Sequence, residues 1–238
     1  VTAKKGVVSD EIIERIDYPK ETVLLVKGRI RKSEKAKLGF EIIPSDTKVV
    51  GRVYGKVAFD ITDPEAIPHL DVRLDNRHVD LRRPEIQRIF QVRATAQQAF
   101  REYLIERGFL EIVPTTLVDA ATEGGADLFP VQYFERRVFL AQSPQLYKQI
   151  AIVGGLDKVF MQGPVFRAEP HNTTTHLNEI WQMDVEMAFT DDNGAMDVLE
   201  GVFRHILERV KEKHKPDLSI PEKIPRITYD EALTLLKE

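Results

Sequence analysis

Residues 142–189 read QSPQLYKQIAIVGGLDKVFMQGPVFRAEPHNTTTHLNEIWQMDVEMAF, and the order of polar and apolar side chains in this stretch decides the fold. Ser143 and Pro144 predict the start of a helix, because serine accepts hydrogen bonds from first-turn amides and proline tolerates the first helical position. The pair Gly154-Gly155 predicts the end of that helix. Three polar side chains would then share one helix face: Gln145, Lys148 and Gln149.

Two strands are predicted to follow this helix. From Ile180 to Phe189 the residues alternate with period two, which predicts a strand with one apolar and one polar face. The apolar face holds Trp181, Met183, Val185, Met187 and Phe189, and the polar face holds Gln182, Asp184 and Glu186. The run from Val159 to Glu169 predicts the partner strand of a hairpin with a long loop, and it places Arg167 and Glu169 on one side.

If the polar faces of the two strands coincide, they form one charged surface. It would carry Arg167, Glu169, Gln182 and Asp184, with Lys148 on the helix nearby. Burying so many charged groups is unfavourable unless each meets a partner. We therefore expect a polar, charged ligand at this surface.

The same residues resemble a known family. FRAE (166–169) and, after the loop, THLNEIWQMDVEMAF (175–189) resemble the second signature motif of class II aminoacyl-tRNA synthetases. QSPQLYKQ (142–149) resembles the amino-acid-binding segment of aspartyl-tRNA synthetases of the archaeal and eukaryotic type. The resemblance implies an α+β fold in which helices flank an antiparallel sheet, preceded by part of a β-barrel OB-fold. It also implies a chain that is truncated at both ends.

The resemblance implies that ATP activates the carboxylate of L-aspartate and that the aspartyl group is then transferred to tRNA. Arg167 would be the catalytic residue, because a planar guanidinium bridges carboxylate and phosphate better than a lysine does. Glu169 would fix the adenine and His176 would reach the terminal phosphates, so these three residues form the expected ATP site. No general base is needed, because the attacking carboxylate is already ionised.

Recognition of aspartate requires a cation for its side-chain carboxylate and acceptors for its ammonium. Lys148 is the expected cation, although a lone lysine on a helix is more often an exposed residue. The expected acceptors are Ser143, Gln145, Asp184 and Glu123, and Gln182 would reach the α-carboxylate. Glu123 lies in TEGG (122–125), which resembles a loop that closes over the amino acid; its alternative interpretation is an acidic surface turn.

Some parts of the family pattern differ or are absent. Pro170, Thr175 and Ile180 stand where relatives often have an acidic or polar residue, an arginine and a phenylalanine. The Gly-rich third motif is absent, and the carboxylates that hold Mg²⁺ are expected beyond the last residue, so no metal ligand is assigned here. We expect this chain alone to be an incomplete enzyme.

The composition is typical of a soluble globular protein. Of the 238 residues, 42% are hydrophobic and 30% are charged, and no run of about 18 apolar residues predicts a membrane span. The absence of cysteine excludes disulfides and a thiol nucleophile. No signal peptide is visible, so we expect a cytoplasmic protein without a membrane partner.

Three parts are expected along the chain. Residues 1–51 would be the C-terminal part of an OB-fold that binds the anticodon, residues 52–70 a linker, and residues 71–238 the N-terminal part of the catalytic domain. The first part should contain a helix from Ser9 to about Ile16 and strands from Thr22 to Arg31 and from Phe40 to Val50. Residues 1–56 carry a net charge of +5 and the remainder −9, which fits tRNA binding at one end or simply a solvated basic surface.

The first family motif is assigned to a helix and the strand after it. An amphipathic stripe predicts a helix over residues 85–107, and FLEIVPTTL (109–117) predicts a strand interrupted at Pro114, which cannot donate to a ladder. By resemblance these elements build a homodimer interface that includes Pro114. Before them, RLDNR (73–77) and DLRRPE (80–85) resemble the entry into the catalytic domain or form a helix lead-in with ion pairs.

The last third of the chain predicts packing elements. Residues 191–194 predict a turn, apolar residues at helical spacing over 198–210 predict a helix, and Thr228 would cap a final helix from Tyr229.

Three functions are compatible with these residues. The first is an aspartate–tRNA ligase acting on tRNA-Asp, with tRNA-Asn as a second candidate substrate. The second is an asparaginyl-tRNA synthetase or a related asparagine synthetase, which Lys148 disfavours because an amide leaves its ammonium without an ionic partner. The third is a non-catalytic module, derived from a synthetase, for tRNA binding or dimerisation.

Overall fold

In the computed structural model, which describes residues 3–4, 6–36, 38–63, 66–120, 128–171, 173 and 176–237, the chain divides into two units. They comprise Val1–Gln87 and Arg88–Glu238. The finer division at residues 51 and 70 stays a prediction.

The first unit begins with a helix and a hairpin. Helix α1 (Asp10–Ile16) precedes strands β1 (Val23–Lys32) and β2 (Phe40–Gly51), which pair antiparallel in a two-stranded sheet. These elements agree with the predicted ones to within one residue at each end. Ser9 occupies the N-cap position of α1, although its side chain makes no capping hydrogen bond.

Residues 52–69 connect this hairpin to two short helices, α2 (Leu70–Asp75) and α3 (Arg77–Asp80). Their described part contains neither helix nor strand, as expected of a connecting segment. Side-chain contacts with the residues before β1 hold it in place. The Val53 N–H donates to Thr22 Oγ1 at 3.4 Å, and Lys20 forms an ion pair with Asp60.

A buried carboxylate, that of Asp80 at the end of α3, is held by two arginines. Arg73 donates from Nε to Oδ1 at 2.9 Å and from Nη2 to Oδ2 at 3.3 Å, and Arg77 donates from Nη1 to Oδ2 at 2.9 Å. The hydrogen bonds from Arg73 are the main reason why the pKa of Asp80 is lowered. The charged segments before the long helix thus form an ion-pair cluster.

We expect Asp80→Asn to destabilise this cluster by about 2 kcal/mol at neutral pH, because the hydrogen bonds lose their ionic character. A lowered pKa means that this contribution is fully present above the pKa of an unfolded aspartate, about 3.9, and is lost as the pH falls through the folded value. Amide hydrogen exchange in α2 and α3 measures the difference. Parent and variant should differ at neutral pH and converge in strong acid, whereas the exposed change Asp75→Asn should have little effect. A difference that persists in strong acid contradicts the ionic role.

Helix α4 (Pro84–Ile105) leads into the second unit. The elements after it are β3 (Leu110–Glu111), β4 (Leu117–Val118), β5 (Pro130–Tyr133), β6 (Arg136–Leu140), α5 (Gln145–Val153), β7 (Lys158–Phe166), β8 (Glu179–Met187), α6 (Asp192–His214) and α7 (Tyr229–Leu235). One sheet has the order β3-β7-β8, with β3 parallel and β8 antiparallel to β7. The other has the order β4-β6-β5 and is antiparallel. Among the described helices, none combines the length and the apolar character that crossing a membrane requires.

The apolar face of the sheet β3-β7-β8 builds the core of this unit. Phe160 packs against Phe100 and Leu104 of α4 and Val202 of α6, and Val185 and Met187 of β8 join them. Trp181 belongs to the same face of β8 but is 45% exposed, with the guanidinium carbon of Arg93 5.5 Å from its ring centre.

The polar face of the sheet lies under helix α5, which contacts both β7 and β8. In the register of the hairpin, Asp184 is opposite Met161 and Gln182 is opposite Gly163. The predicted hairpin is therefore confirmed, and Gln182 and Asp184 share its polar face.

Several predicted boundaries are wrong. Strand β7 ends at Phe166 rather than at Glu169, and β8 ends at Met187. Phe189 has a left-handed φ of 53° and is 99% exposed, so it does not extend the apolar face. Residues 191–194 are not a separate turn: Asp191 caps α6 by accepting from the Gly194 N–H at 2.9 Å, and the helix therefore begins earlier than its apolar stripe.

Other boundaries are confirmed. Helix α4 matches the predicted helix 85–107 to within two residues. The predicted strand 109–117 is only partly correct: β3 (Leu110–Glu111) and β4 (Leu117–Val118) belong to different sheets, and Pro114 lies in the segment between them. Thr228 caps α7 in a reciprocal capping box with Glu231.

Candidate active site

The entry into α5 is anchored to the end of β7. The Phe166 N–H donates to the carbonyl oxygen of Ala141 at 2.9 Å, and the following Gln142 and Ser143 are 0% and 2% exposed. Ser143 Oγ accepts from the Gln145 N–H at 3.1 Å, but Pro144 occupies the N-cap position, so the predicted serine cap is displaced by one residue. At the other end Gly154 is the C-cap, and Gly155 adopts a φ of 93°, as the predicted stop requires.

Lys148 is the centre of the site. Its side chain is 2% exposed, and its ammonium lies 2.6 Å from Oδ1 of Asp184 and 3.2 Å from Oε2 of Glu186. The carbonyl oxygen of Val185 accepts a further hydrogen bond at 3.4 Å. A buried ammonium requires such partners. The alternative interpretation of Lys148 as an exposed helix residue is therefore excluded.

Gln145 lies one turn before Lys148 on the same side of α5. Its side-chain amide donates from Nε2 to Oε2 of Glu186 at 3.3 Å, whereas Gln149 is exposed. The predicted helix face is therefore correct for Gln145 and Lys148 and wrong for Gln149, which lies on the solvent side of the helix.

Gln182 lies two residues before Asp184 on the polar face, opposite a glycine that has no side chain to cover it. Its Oε1 atom is buried and accepts no hydrogen bond from any residue that the structure describes. Buried amide oxygens usually have a donor. Gln182 therefore offers an acceptor to a ligand at this position.

Arg167 follows the last residue of β7. Its backbone N–H donates to the carbonyl oxygen of Asn178 at 2.9 Å, so the pairing continues by one residue and the alternation places Arg167 on the face of Gln182 and Asp184. The Glu169 N–H then donates to the carbonyl oxygen of Arg167 at 2.9 Å, in a tight turn. The prediction that Glu169 shares a strand face with Arg167 is wrong, because the strand has ended.

The carboxylates around Lys148 outnumber its ammonium. One ammonium faces two carboxylates, and the side chains of Asp184 and Glu186 are 21% and 25% exposed. The excess negative charge favours a cationic group, while the ammonium of Lys148 favours an anionic one. The arrangement suits a ligand that carries both charges, such as an amino acid.

Comparison with known proteins decides the family. Residues 69–238 match the family of tRNA synthetases class II (D, K and N). The chain belongs to this family. It is 49% identical to the aspartate–tRNA(Asp/Asn) ligase of Archaeoglobus fulgidus over 222 aligned positions, in an alignment that covers 90% of this chain and 51% of that protein. It is 46% identical to the aspartate–tRNA(Asp) ligase of Pyrococcus horikoshii over 250 aligned positions, in an alignment that covers 100% of this chain and 56% of that protein. The chain thus spans about half the length of the curated relatives it matches.

Solved structures of class II synthetases share its fold. The asparaginyl-tRNA synthetase of Pyrococcus horikoshii, complexed with asparaginyl-adenylate, has a TM-score of 0.86 at 34% identity and covers 98% of this chain and 56% of its own. A putative aspartyl-tRNA synthetase of Leishmania major has a TM-score of 0.80 at 33% identity, covering 90% of this chain and 43% of its own. The resemblance and the α+β class that the sequence predicted are confirmed.

The hairpin loop of this class II synthetase chain carries His176 at its surface. The backbone N–H of His176 donates to Thr173 Oγ1 at 3.2 Å, and the ring Nδ1 of His176 lies 2.7 Å from the same oxygen. Its ring centre is 5.1 Å from that of His171. A contact of His176 with terminal phosphates stays a prediction.

The remaining assigned residues fall in different places. Pro114 is half-buried and, together with Ser143 and Pro144, lines a cavity of about 100 Å³, so the proposed dimer contact adjoins the entry into α5. Pro170 is exposed and Ile180 is half-buried at the start of β8. Glu123 and Thr175 lie outside the described residues, and their roles stay predictions.

Glu186 is a site residue to which the sequence assigned no role. The alternation of β8 placed it on the polar face, which was the available signal. Its contacts with Gln145 and Lys148 depend on how α5 packs on the sheet, and a strand pattern carries no information about that packing.

Proposed function

We propose that the full-length protein containing this chain is an aspartate–tRNA ligase. It would form aspartyl-adenylate from L-aspartate and ATP and transfer the aspartyl group to tRNA. The observation that carries the proposal is the buried ammonium of Lys148 on the polar sheet face, next to Asp184. The names of the curated relatives, which are aspartate–tRNA ligases, support it.

A bound aspartate would place its side-chain carboxylate on Lys148 and its ammonium on Asp184. These two residues pair with each other at 2.6 Å in the structure, so the ligand would exchange one ion pair for two. Gln182 can donate to the α-carboxylate from Nε2 and accept from the ammonium at Oε1. Ser143, Gln145 and Glu123 complete the proposed amino-acid site.

The nucleotide would lie toward Arg167. The backbone partner of Arg167 is Asn178, four residues before Gln182, which corresponds to about 13 Å along β8. This separation suits an adenylate, which has the amino acid at one end and the nucleotide at the other. Attack of the α-carboxylate on the α-phosphorus requires positive charge on both groups, and the Arg167 guanidinium can donate to both. Glu169 at the adenine and His176 at the terminal phosphates complete the proposed ATP site.

Mg²⁺ is the expected companion of ATP. Within the part of the chain that the structure describes, no three acidic or histidine side chains converge as a metal site requires. We therefore assign no residue of this chain as its ligand, and no step above depends on it.

The proposed partner of the hairpin β1-β2 is tRNA. Exposed basic side chains of the hairpin can contact phosphates: Lys27, Arg29, Lys32 and Lys48. The assignment of residues 1–51 to an anticodon-binding OB-fold, and of a cytoplasmic location, belongs to the same proposal.

An asparaginyl-tRNA synthetase is the second candidate, because such an enzyme has a TM-score of 0.86 to this chain. Lys148 argues against it, since its ammonium forms a charge-assisted hydrogen bond with the side-chain carboxylate of aspartate that the amide of asparagine cannot match. ATP–pyrophosphate exchange by the full-length protein with each amino acid separates the candidates. We expect exchange with aspartate. Exchange with asparagine alone would establish the second candidate, and exchange with neither would indicate a non-catalytic module.

We further propose that the protein is a homodimer. Apolar side chains on α4 and near Pro114 are exposed, including Ile89 at 61%, Leu110 at 51% and Val113 at 93%. A two-fold contact through the same patch on both subunits is the commonest homo-oligomer form, and an obligate one buries more than about 2,000 Å². Because β3 pairs with β7, loss of the contact should also disturb Arg167.

We therefore expect Val113→Asp to shift the full-length protein from dimer to monomer and to lower pyrophosphate exchange. Sedimentation at micromolar concentration measures the first effect. The matched control is Phe134→Asp, at a turn between β5 and β6 that is 83% exposed. A stable and fully active monomer would refute both the interface and its coupling to the site.

A further inference from the structure

We propose that Glu186 is the permanent counter-ion of Lys148 and thereby a positioning residue that sets how strongly the site prefers aspartate to asparagine. The inference rests on the proposed function and adds a residue to the amino-acid site. It starts from the observation that Lys148 has two carboxylate partners, although an ammonium needs only one for charge balance.

The two carboxylates are held differently. Asp184 meets Lys148 through Oδ1 at 2.6 Å. Oε2 of Glu186 lies 3.2 Å from the Lys148 ammonium and accepts from Gln145 Nε2 at 3.3 Å. Both of these donors belong to α5, so Glu186 fastens β8 to this helix. If Glu186 were displaced, the Lys148 ammonium and the Gln145 amide would both lose an acceptor. Displacing Asp184 from the Lys148 ammonium is therefore less unfavourable than displacing Glu186.

Burial makes a permanent counter-ion necessary. The side chain of Lys148 is 2% exposed, and a buried ammonium without an anionic partner is strongly unfavourable. If Asp184 turns to the ammonium of an incoming amino acid, Glu186 remains on Lys148. The geometry thus assigns the exchangeable role to Asp184 and the permanent role to Glu186.

The charge of Glu186 also acts on the ligand. It repels the side-chain carboxylate of aspartate, and it supplies Lys148 with a counter-charge when the ligand is asparagine. Removing this charge should therefore favour the anionic ligand over the neutral one. Two unit charges about 5 Å apart at an effective dielectric constant of about 20 would change the relative affinity for the two ligands by a factor of roughly a few hundred, and partial exposure reduces this factor to about tenfold.

The test compares the full-length parent with Glu186→Gln and Glu186→Asp in ATP–pyrophosphate exchange. The measured quantity is the ratio of kcat/KM for aspartate to that for asparagine. We expect Glu186→Gln to raise this ratio about tenfold with the KM for ATP unchanged, and Glu186→Asp, which keeps the charge, to leave the ratio near that of the parent. A merely structural role lowers both activities alike. An unchanged or lowered ratio in Glu186→Gln overturns the inference.

A second measurement needs no variant. In a crystal structure of the full-length protein with L-aspartate, Glu186 should remain within hydrogen-bond distance of Lys148, and Asp184 should contact the ligand ammonium. If Asp184 stays on Lys148 and Glu186 leaves, the inference is wrong. A parent protein that activates neither amino acid refutes the proposed function, whereas an active parent with the wrong response in Glu186→Gln refutes only the role of Glu186.

Discussion

Arg167→Lys is expected to lower adenylate formation by about a hundredfold to a thousandfold while leaving the fold intact. Lysine keeps the positive charge but lacks the planar fork that can donate to carboxylate and phosphate together. Losing one donor aimed at a transition state typically has an effect of this size. The hairpin should persist, because its pairing at this position uses the backbone N–H of Arg167 and the carbonyl oxygen of Asn178.

ATP–pyrophosphate exchange and thermal unfolding of the full-length variant measure the two parts of this expectation. The matched control is Arg137→Lys, at an exposed arginine of β6. Exchange within a few-fold of the parent would show that Arg167 has a structural rather than a catalytic role.

Lys148→Leu is expected to weaken the binding of aspartate by about 2–5 kcal/mol. Truncating one partner of a buried charged pair typically has an effect of this size. The carboxylate of the ligand loses its cation, and Asp184 and Glu186 lose theirs. The second loss should also destabilise the fold, because both carboxylates then remain on the polar face of β8 without a counter-charge.

Separate KM values for aspartate and ATP distinguish recognition from general damage. The KM for aspartate should rise far more than the KM for ATP. The control Gln149→Leu, at an exposed position of the same helix, should change neither KM. An unchanged kcat and KM for aspartate would remove Lys148 from the amino-acid site. An equal rise in the KM values for aspartate and ATP would show that Lys148 only forms a structural ion pair.

Local signals predicted most of the elements. The alternation over residues 180–189 identified β8 and its polar face, although the strand ends at Met187, because side chains of a strand point to opposite sides whatever the strand packs against. Gly154 and Gly155 identified the end of α5, because the left-handed φ of Gly155 favours glycine. Both signals are confined to a few neighbouring residues, which is why they can be read without the fold.

Contacts between distant segments could not be predicted in the same way. The sequence placed Glu186 on the correct face but gave no partner for it, since its contact with Gln145 spans 41 residues. The end of β7 was also missed. FRAE continues the pattern of a strand, and only the turn made by the Glu169 N–H and the Arg167 carbonyl shows where the strand stops.

Family resemblance supplied what local patterns could not, although it described a site with its ligand bound. It paired Lys148 with the carboxylate of a substrate. The structure shows the lysine paired with Asp184 and Glu186 of the protein itself, so the same residues explain both how the charge is buried and how it can be used.

The position of Trp181 gives this chain a built-in optical reporter. It is the one tryptophan in the sequence, so all indole fluorescence of the chain comes from β8. Trp181 is 45% exposed and lies on the face opposite to Gln182, the next residue along the strand. An indole in water emits at longer wavelength than a buried one, so covering this face with protein should shift the emission to the blue. An amino acid bound at Gln182, on the other face, would instead change the emission of Trp181 through the backbone of β8. The two signals can be separated by titration, because the first follows protein concentration and the second follows ligand concentration.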